Sequence, residues 1–90
     1  MKSTVSLGLR RAIIVEDDSV FHDEIDLALD DTGFAWRSFK FFKAADAMSF
    51  IRETRTSLDI ALIDLGLPDR SGIEVIKRIH KKYPNCPILV

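Results

Sequence analysis

Two unbroken apolar tetrapeptides, Ala12-Ile13-Ile14-Val15 and Ile60-Ala61-Leu62-Ile63, each run straight into acidic side chains, and this constrains the fold more than any other feature of the chain. A strand with one wet face alternates apolar and polar residues, whereas a strand covered on both faces reads as a continuous branched run. Both tetrapeptides are of the second kind, so the chain needs a parallel sheet with helices above and below it. Two weaker runs, Trp36 to Phe42 and Pro87 to Val90, supply further strands. Pro87 sits where a strand begins and its missing amide matters least.

Helical stretches lie between the runs. The first carries Phe21, Ile25, Ala28 and Leu29 at helical spacing, with Asp23 and Glu24 early and Gly33 as a stop. The second, Ala44 to Arg52, places Ala44, Ala47, Met48 and Ile51 on one side and shows no clear cap. The third opens on Ser71-Gly72-Ile73-Glu74, the pattern of a capping box, and points Ile73, Ile76, Ile79 and Tyr83 inward until Pro84 ends it. Strands and helices therefore alternate from end to end, which selects an open α/β sheet with right-handed crossovers. Ninety residues hold one such core. We expect residues 1–9 to form a tail and residues 10–90 the domain.

Composition narrows the function. Apolar residues at 47% and charged residues at 30% describe a globular chain, and no apolar stretch reaches the about 20 residues of a membrane span. The apolar segment around Val5 to Leu9 is too short for a secretory signal, so a cytoplasmic, soluble protein is expected. A net charge of −1 offers no field to hold nucleic acid. The cluster Lys77, Arg78, Lys81 and Lys82 reads as a solvated helix face near a C-terminus, where positive charge suits the dipole. Cys86 is small apolar filling.

The chemistry sits where the two buried runs end. Val15 leads into Glu16-Asp17-Asp18 and Ile63 into Asp64. In an open parallel sheet of order 2-1-3-4, ligands bind beyond the carboxyl ends of the strands at the point where the order reverses, between strands one and three. Glu16, Asp17 and Asp64 should converge there. Clustered carboxylates repel one another and resist desolvation, so they call for a cation. Oxygen-only ligation points to magnesium, which uses one or two carboxylates beside phosphate oxygens. A carboxylate beside such an ion can attack phosphorus. The turn after Asp64 would let the Gly66 carbonyl face the ion.

Plainer roles compete. Asp18 or Ser19 suits the N-cap of the first helix, Asp69 and Arg70 suit an exposed turn, and Glu74 suits the capping box. His22 and His80 have no partner at metal-ligand spacing and read as ordinary helix positions. For Asp17 and Asp64 taken singly, strand-end turn formation would suffice.

The stretches Ile13-Ile14-Val15-Glu16-Asp17-Asp18 and Asp59 to Gly72, with proline four and glycine eight residues after Asp64, closely resemble the receiver domain of bacterial two-component response regulators. The second stretch is most similar to regulators with a LuxR-type helix-turn-helix output domain. The resemblance implies a flavodoxin-like three-layer sandwich, with Asp64 as the aspartate phosphorylated by a histidine kinase. It further implies Asp17 as a direct Mg2+ ligand, Glu16 as a ligand through water and Gly66 as a carbonyl ligand. Receivers continue past strand four to a hydroxyl residue, a switch aromatic and a lysine that the 90 residues do not include, so a receiver incomplete at its C-terminal end is implied.

A bare edge at strand four makes a homodimer or strand exchange the expected remedy, and an interaction module that is not phosphorylated is the alternative reading. A magnesium phosphohydrolase is a third. Such enzymes place an acid two residues after the nucleophile, and here that position is Gly66, so no enzymatic turnover is expected.

Overall fold

The computed structural model describes residues 9–90. Apart from Leu9, the expected tail lies outside the described residues. The chain runs β1 (Arg10–Val15), α1 (Ser19–Asp30), β2 (Trp36–Phe41), α2 (Ala44–Glu53), β3 (Ile60–Ile63), α3 (Gly72–Lys82) and β4 (Ile88–Leu89). All strand pairs are parallel and the sheet order is β2-β1-β3-β4, as the alternation of elements required.

The pleat sorts β1 onto two cores. Ile13 and Val15 join Ala61 and Ile63 of β3 against Ala44, Ala47 and Ile51 of α2 and Val75 and Ile79 of α3. Ala12 and Ile14 face the other way, toward Ile25 and Leu29 of α1. The three layers are thus α1, the sheet, and α2 with α3. Ala12 through Val15 are fully buried, and each large side chain among them contributes about 1.5–3 kcal/mol through burial. β3 departs from the expectation of burial on both faces: Ala61 and Ile63 are buried but Ile60 and Leu62 only half so. Among the described residues α1 is the only helix on their side of the sheet, and it packs over β1 and β2.

Two helices are rotated from their expected faces. In α1 the buried residues are His22, Ile25 and Leu29, while Phe21 and Ala28 are exposed. In α3 they are Gly72, Val75 and Ile79, with Ile76 and Tyr83 half-buried and Ile73 exposed. The expected stripes took in Ile73 and Phe21, but the buried ones run through the smaller Gly72 and the polar His22.

The caps also differ in detail. Asp18 is the N-cap of α1 and accepts from the Val20 amide, 2.9 Å. Asp23 and Glu24 lie beyond the first turn, which contains no acid, so Asp18 alone meets the positive end of that dipole. Ser71 caps α3 by accepting from the Ile73 amide, 3.2 Å, but Glu74 turns toward Arg70 at 3.9 Å and does not complete the box. Lys82 leaves the solvated face and donates to the carbonyls of Ile51 and Thr54 at the end of α2. The missing cap of α2 comes from a distance: the Asp69 carboxylate accepts from the amides of Ala44 and Ala45, each at 2.9 Å.

Those two bonds hold the Asp69 carboxyl below its ordinary 3.8, the Ala45 amide contributing most and the Ala44 amide next. A depressed carboxyl contributes stability that is present above its unfolded value and lost as pH falls through the folded one. Asp69→Ala should therefore lose the part of the acid-unfolding slope that lies below pH 3.8. It should also abolish exchange protection of the Ala44 and Ala45 amides at neutral pH. Unchanged protection of both amides would show that Asp69 does not cap α2.

Candidate functional site

Three neighbouring strands deliver the acidic loop to one place. The Glu16 amide donates to the Phe41 carbonyl at the end of β2, and the Asp64 amide donates to the Val15 carbonyl at the end of β1, both at 2.9 Å. These two bonds carry the β1 pairings one step beyond the named strands. The side chains that follow then emerge together at the carboxyl edge of the sheet, on either side of the point where β1 is flanked by β2 and β3.

Glu16, Asp17 and Asp64 do converge. One carboxylate oxygen from each lies within 4.8 Å of the other two, with Glu16 and Asp64 half-buried and Asp17 exposed. Partial burial is the main cause that raises the Glu16 carboxyl above its usual range; the hydrogen bond with Asp17 and the charges of Asp64 and Asp17 add to it. The Asp18 amide, 3.1 Å from Glu16 Oε2, pulls the other way. None of the ion pairs among the described residues involves these three acids. The cluster therefore concentrates negative charge without a side-chain cation to offset it, and its donors are hard oxygens of the kind that suit Mg2+.

Asp64 is further fixed by the turn that follows it. The Gly66 amide donates to Asp64 Oδ1, 3.0 Å, and Gly66 pairs across the turn with Ser71. A Cβ at Gly66 would rest 3.8 Å from Asp64 Oδ1, an ordinary contact, so this glycine is not demanded by space. Gly72 is. A Cβ there would fall 2.1 Å from the Asp64 carbonyl oxygen, because the first turn of α3 is laid directly against the backbone of Asp64.

Three residues matter to the site beyond those assigned to it from the sequence. Asp69 ties the turn after Asp64 to the start of α2, a link between positions 24 and 25 residues apart that local pattern does not reveal. Gly72 sets the approach of α3. His22 is 2% exposed and its Nε2 lies 2.8 Å from the Glu16 carbonyl oxygen. Its spacing with Ile25 and Leu29 marks it as inward-facing, a signal outweighed in the sequence by the greater hydrophobicity of Phe21. Beside the acids runs an apolar groove of about 380 Å³ lined by Phe21, Ile25, Leu62, Leu65 and Leu89.

Comparison with known proteins agrees with this geometry. The response regulator receiver domain family model matches residues 12–90. The virulence transcriptional regulatory protein PhoP of Salmonella typhimurium is 30% identical over 82 residues, which cover 91% of this chain and 35% of that protein. A cyclic di-GMP phosphodiesterase of Thermotoga maritima is 33% identical over 78 residues, covering 87% of this chain and 20% of that protein. The chain thus spans about a third of the first of these relatives and a fifth of the second. A CheY-like response regulator receiver domain protein from Methanospirillum hungatei superposes with a TM-score of 0.72 at 28% identity, covering 89% of this chain and 61% of that one. With its sheet order, its acidic edge and a family match across nearly all described residues, the chain belongs to the response regulator receiver domain family.

Proposed function

We propose that the chain is a phosphoacceptor: Asp64 receives the phosphoryl group from the phosphohistidine of a histidine kinase, and Glu16, Asp17, Asp64 and the Gly66 carbonyl hold Mg2+. The convergence of three carboxylates within 4.8 Å at the ends of β1 and β3, without a side-chain cation, supports this reading most strongly. The Gly66 amide holds Asp64 Oδ1 and so limits rotation of the carboxylate that attacks. As the Asp64 oxygen bonds to phosphorus, the phosphorus–nitrogen bond of the donor breaks and the imidazole nitrogen keeps its electron pair. Bound Mg2+ would neutralise charge shared by the acids and the phosphoryl oxygens. Asp17, exposed, and Glu16, half-buried and raised, divide the roles of direct and water-mediated ligand. With Gly66 in the position an acid-base residue would need, Asp64 is an acceptor and not a turnover catalyst.

The proposed output is transcriptional control, supported by the similarity to PhoP and by the Asp59 to Gly72 stretch, which resembles regulators with a LuxR-type domain. A cytoplasmic location fits this role, and among the described residues no helix is long and apolar enough to cross a membrane.

Mass spectrometry after incubation with acetyl phosphate and Mg2+ should show one added phosphoryl group, absent in Asp64→Asn and without the metal. In parallel, beryllofluoride should shift the NMR resonances around Asp64 only when Mg2+ is present. A folded protein that gains no phosphoryl group, or gains it equally in Asp64→Asn, would overturn the assignment.

A further inference from the structure

We propose that His22 is a positioning residue for the cation site: it holds the Glu16–Asp17 peptide in the orientation from which both acids reach the ion, a role that rests on the metal-binding reading above. Besides the side-chain hydrogen bond with Asp17, three bonds tie Glu16. Its amide donates to the Phe41 carbonyl at 2.9 Å, its side chain accepts from the Asp18 amide at 3.1 Å, and its carbonyl accepts from His22 Nε2 at 2.8 Å. Only the third fixes the plane of the peptide that leads into Asp17. Without it the carbonyl would turn to water and the exposed Asp17 would inherit that freedom.

The chemistry of the ring argues that this bond is why a histidine stands here. A carbonyl can only accept, so Nε2 carries a proton and is the donor of this bond. Nδ1 is buried with no hydrogen-bond partner among the described residues. A buried polar atom left unpaired is unfavourable, and an aliphatic side chain like its neighbours Ile25 and Leu29 would fill the space without that penalty. Packing does not explain the polarity; donation to Glu16 does. The ring is itself held, tilted 45° against Phe42 with centroids 4.6 Å apart, and its own amide donates to Asp18 at the start of α1. The acidic loop is thus clamped to the helix that follows it by a side chain anchored in the α1 core.

The test compares His22→Leu, which keeps apolar bulk and loses the donor, with His22→Gln, whose amide nitrogen reaches about as far as Nε2. Mg2+ affinity is read by calorimetry and metal-free stability by thermal unfolding. The leucine variant should bind Mg2+ about tenfold more weakly while remaining folded, and the glutamine variant should stay much closer to wild type. Leucine and wild-type affinities that agree would overturn the inference while leaving the metal site standing. A wild type that does not bind Mg2+ would remove the site and this role together. Should the leucine variant not fold, nitrogen-15 NMR of the wild-type ring decides: a slowly exchanging proton on Nε2 supports the role, and one on Nδ1 overturns it.

Discussion

Gly72→Ala should be among the most damaging single-methyl additions in the protein. The added Cβ would lie 2.1 Å from the Asp64 carbonyl oxygen and 2.9 Å from both the Asp64 carbonyl carbon and Leu65 Cα. All three are backbone atoms, so no side-chain rotation can relieve the overlap, and Gly72 is further held by the hydrogen bond its amide donates to the Leu65 carbonyl at 3.0 Å. Conformation is not the issue, since Gly33 is the only described residue with a positive φ. Helix propensity alone would favour alanine, by about 1 kcal/mol in a helix interior and by less at this first helical residue. Overlap with fixed backbone reverses that sign, and a loss of about 3 kcal/mol or more is expected, the upper range for forced insertion into a packed site. In a domain of this size that lowers the thermal midpoint by roughly 10 °C or more.

If α3 shifts instead of unfolding, Asp64 moves with it and the response to Mg2+ and beryllofluoride falls. The comparison variant is Gly66→Ala, where the new methyl would meet only an ordinary 3.8 Å contact, and its stability should stay within about 1 kcal/mol of wild type. Thermal unfolding of the pair is decisive. A Gly72→Ala protein that melts and binds like wild type would show that α3 does not rest on the Asp64 backbone.

The same pair of glycines shows what the sequence does and does not disclose. Gly66 lies in the turn after Asp64 and Gly72 opens α3, yet only Gly72 is dictated by a close approach between elements; that difference depends on packing, which no local pattern encodes. The sheet was legible because burial on both faces erases alternation: Ala12 to Val15 could be nothing but a central strand, and the acids after it and after Ile63 had to meet at the reversal of strand order. The face of α1 was read only in part: Ile25 and Leu29 are buried as expected, but Phe21 and Ala28 are exposed and the polar His22 takes the inward position. Spacing was the better guide, since His22, Ile25 and Leu29 form one stripe. Asp69 looked like a turn residue and is one, but its carboxylate also starts a helix that precedes it in the chain. A cap supplied across the fold leaves α2 looking uncapped in the sequence.

Asp17→Asn should move stability and metal affinity in opposite directions, a signature that separates a cation site from a structural acidic turn. Without metal, Asp17 adds negative charge to Glu16 and Asp64 and no side-chain ion pair among the described residues offsets it. Removing that charge should stabilise the metal-free protein by about 0.5 kcal/mol, the scale of a single exposed charge interaction.

The gain should depend on pH in a defined sense. A carboxyl raised in the folded state, as Glu16 is, contributes stability that is present below its unfolded value and lost as pH rises through its folded one. The wild type should therefore weaken as pH climbs from the ordinary carboxylate range through the raised value, and Asp17→Asn, lacking one of the charges that raises it, should weaken less. Saturating Mg2+ reverses the order. Ligand binding stabilises the folded state by an amount that grows with the logarithm of affinity, and loss of a ligating carboxylate should reduce that affinity at least about tenfold, the loss that outer-shell partners alone can produce. Thermal unfolding of the two proteins with and without Mg2+ should thus give midpoints that cross, the variant higher in chelator and lower in metal. Midpoints that keep the same order in both conditions would mean that Asp17 shapes the turn after β1 and does not hold the ion.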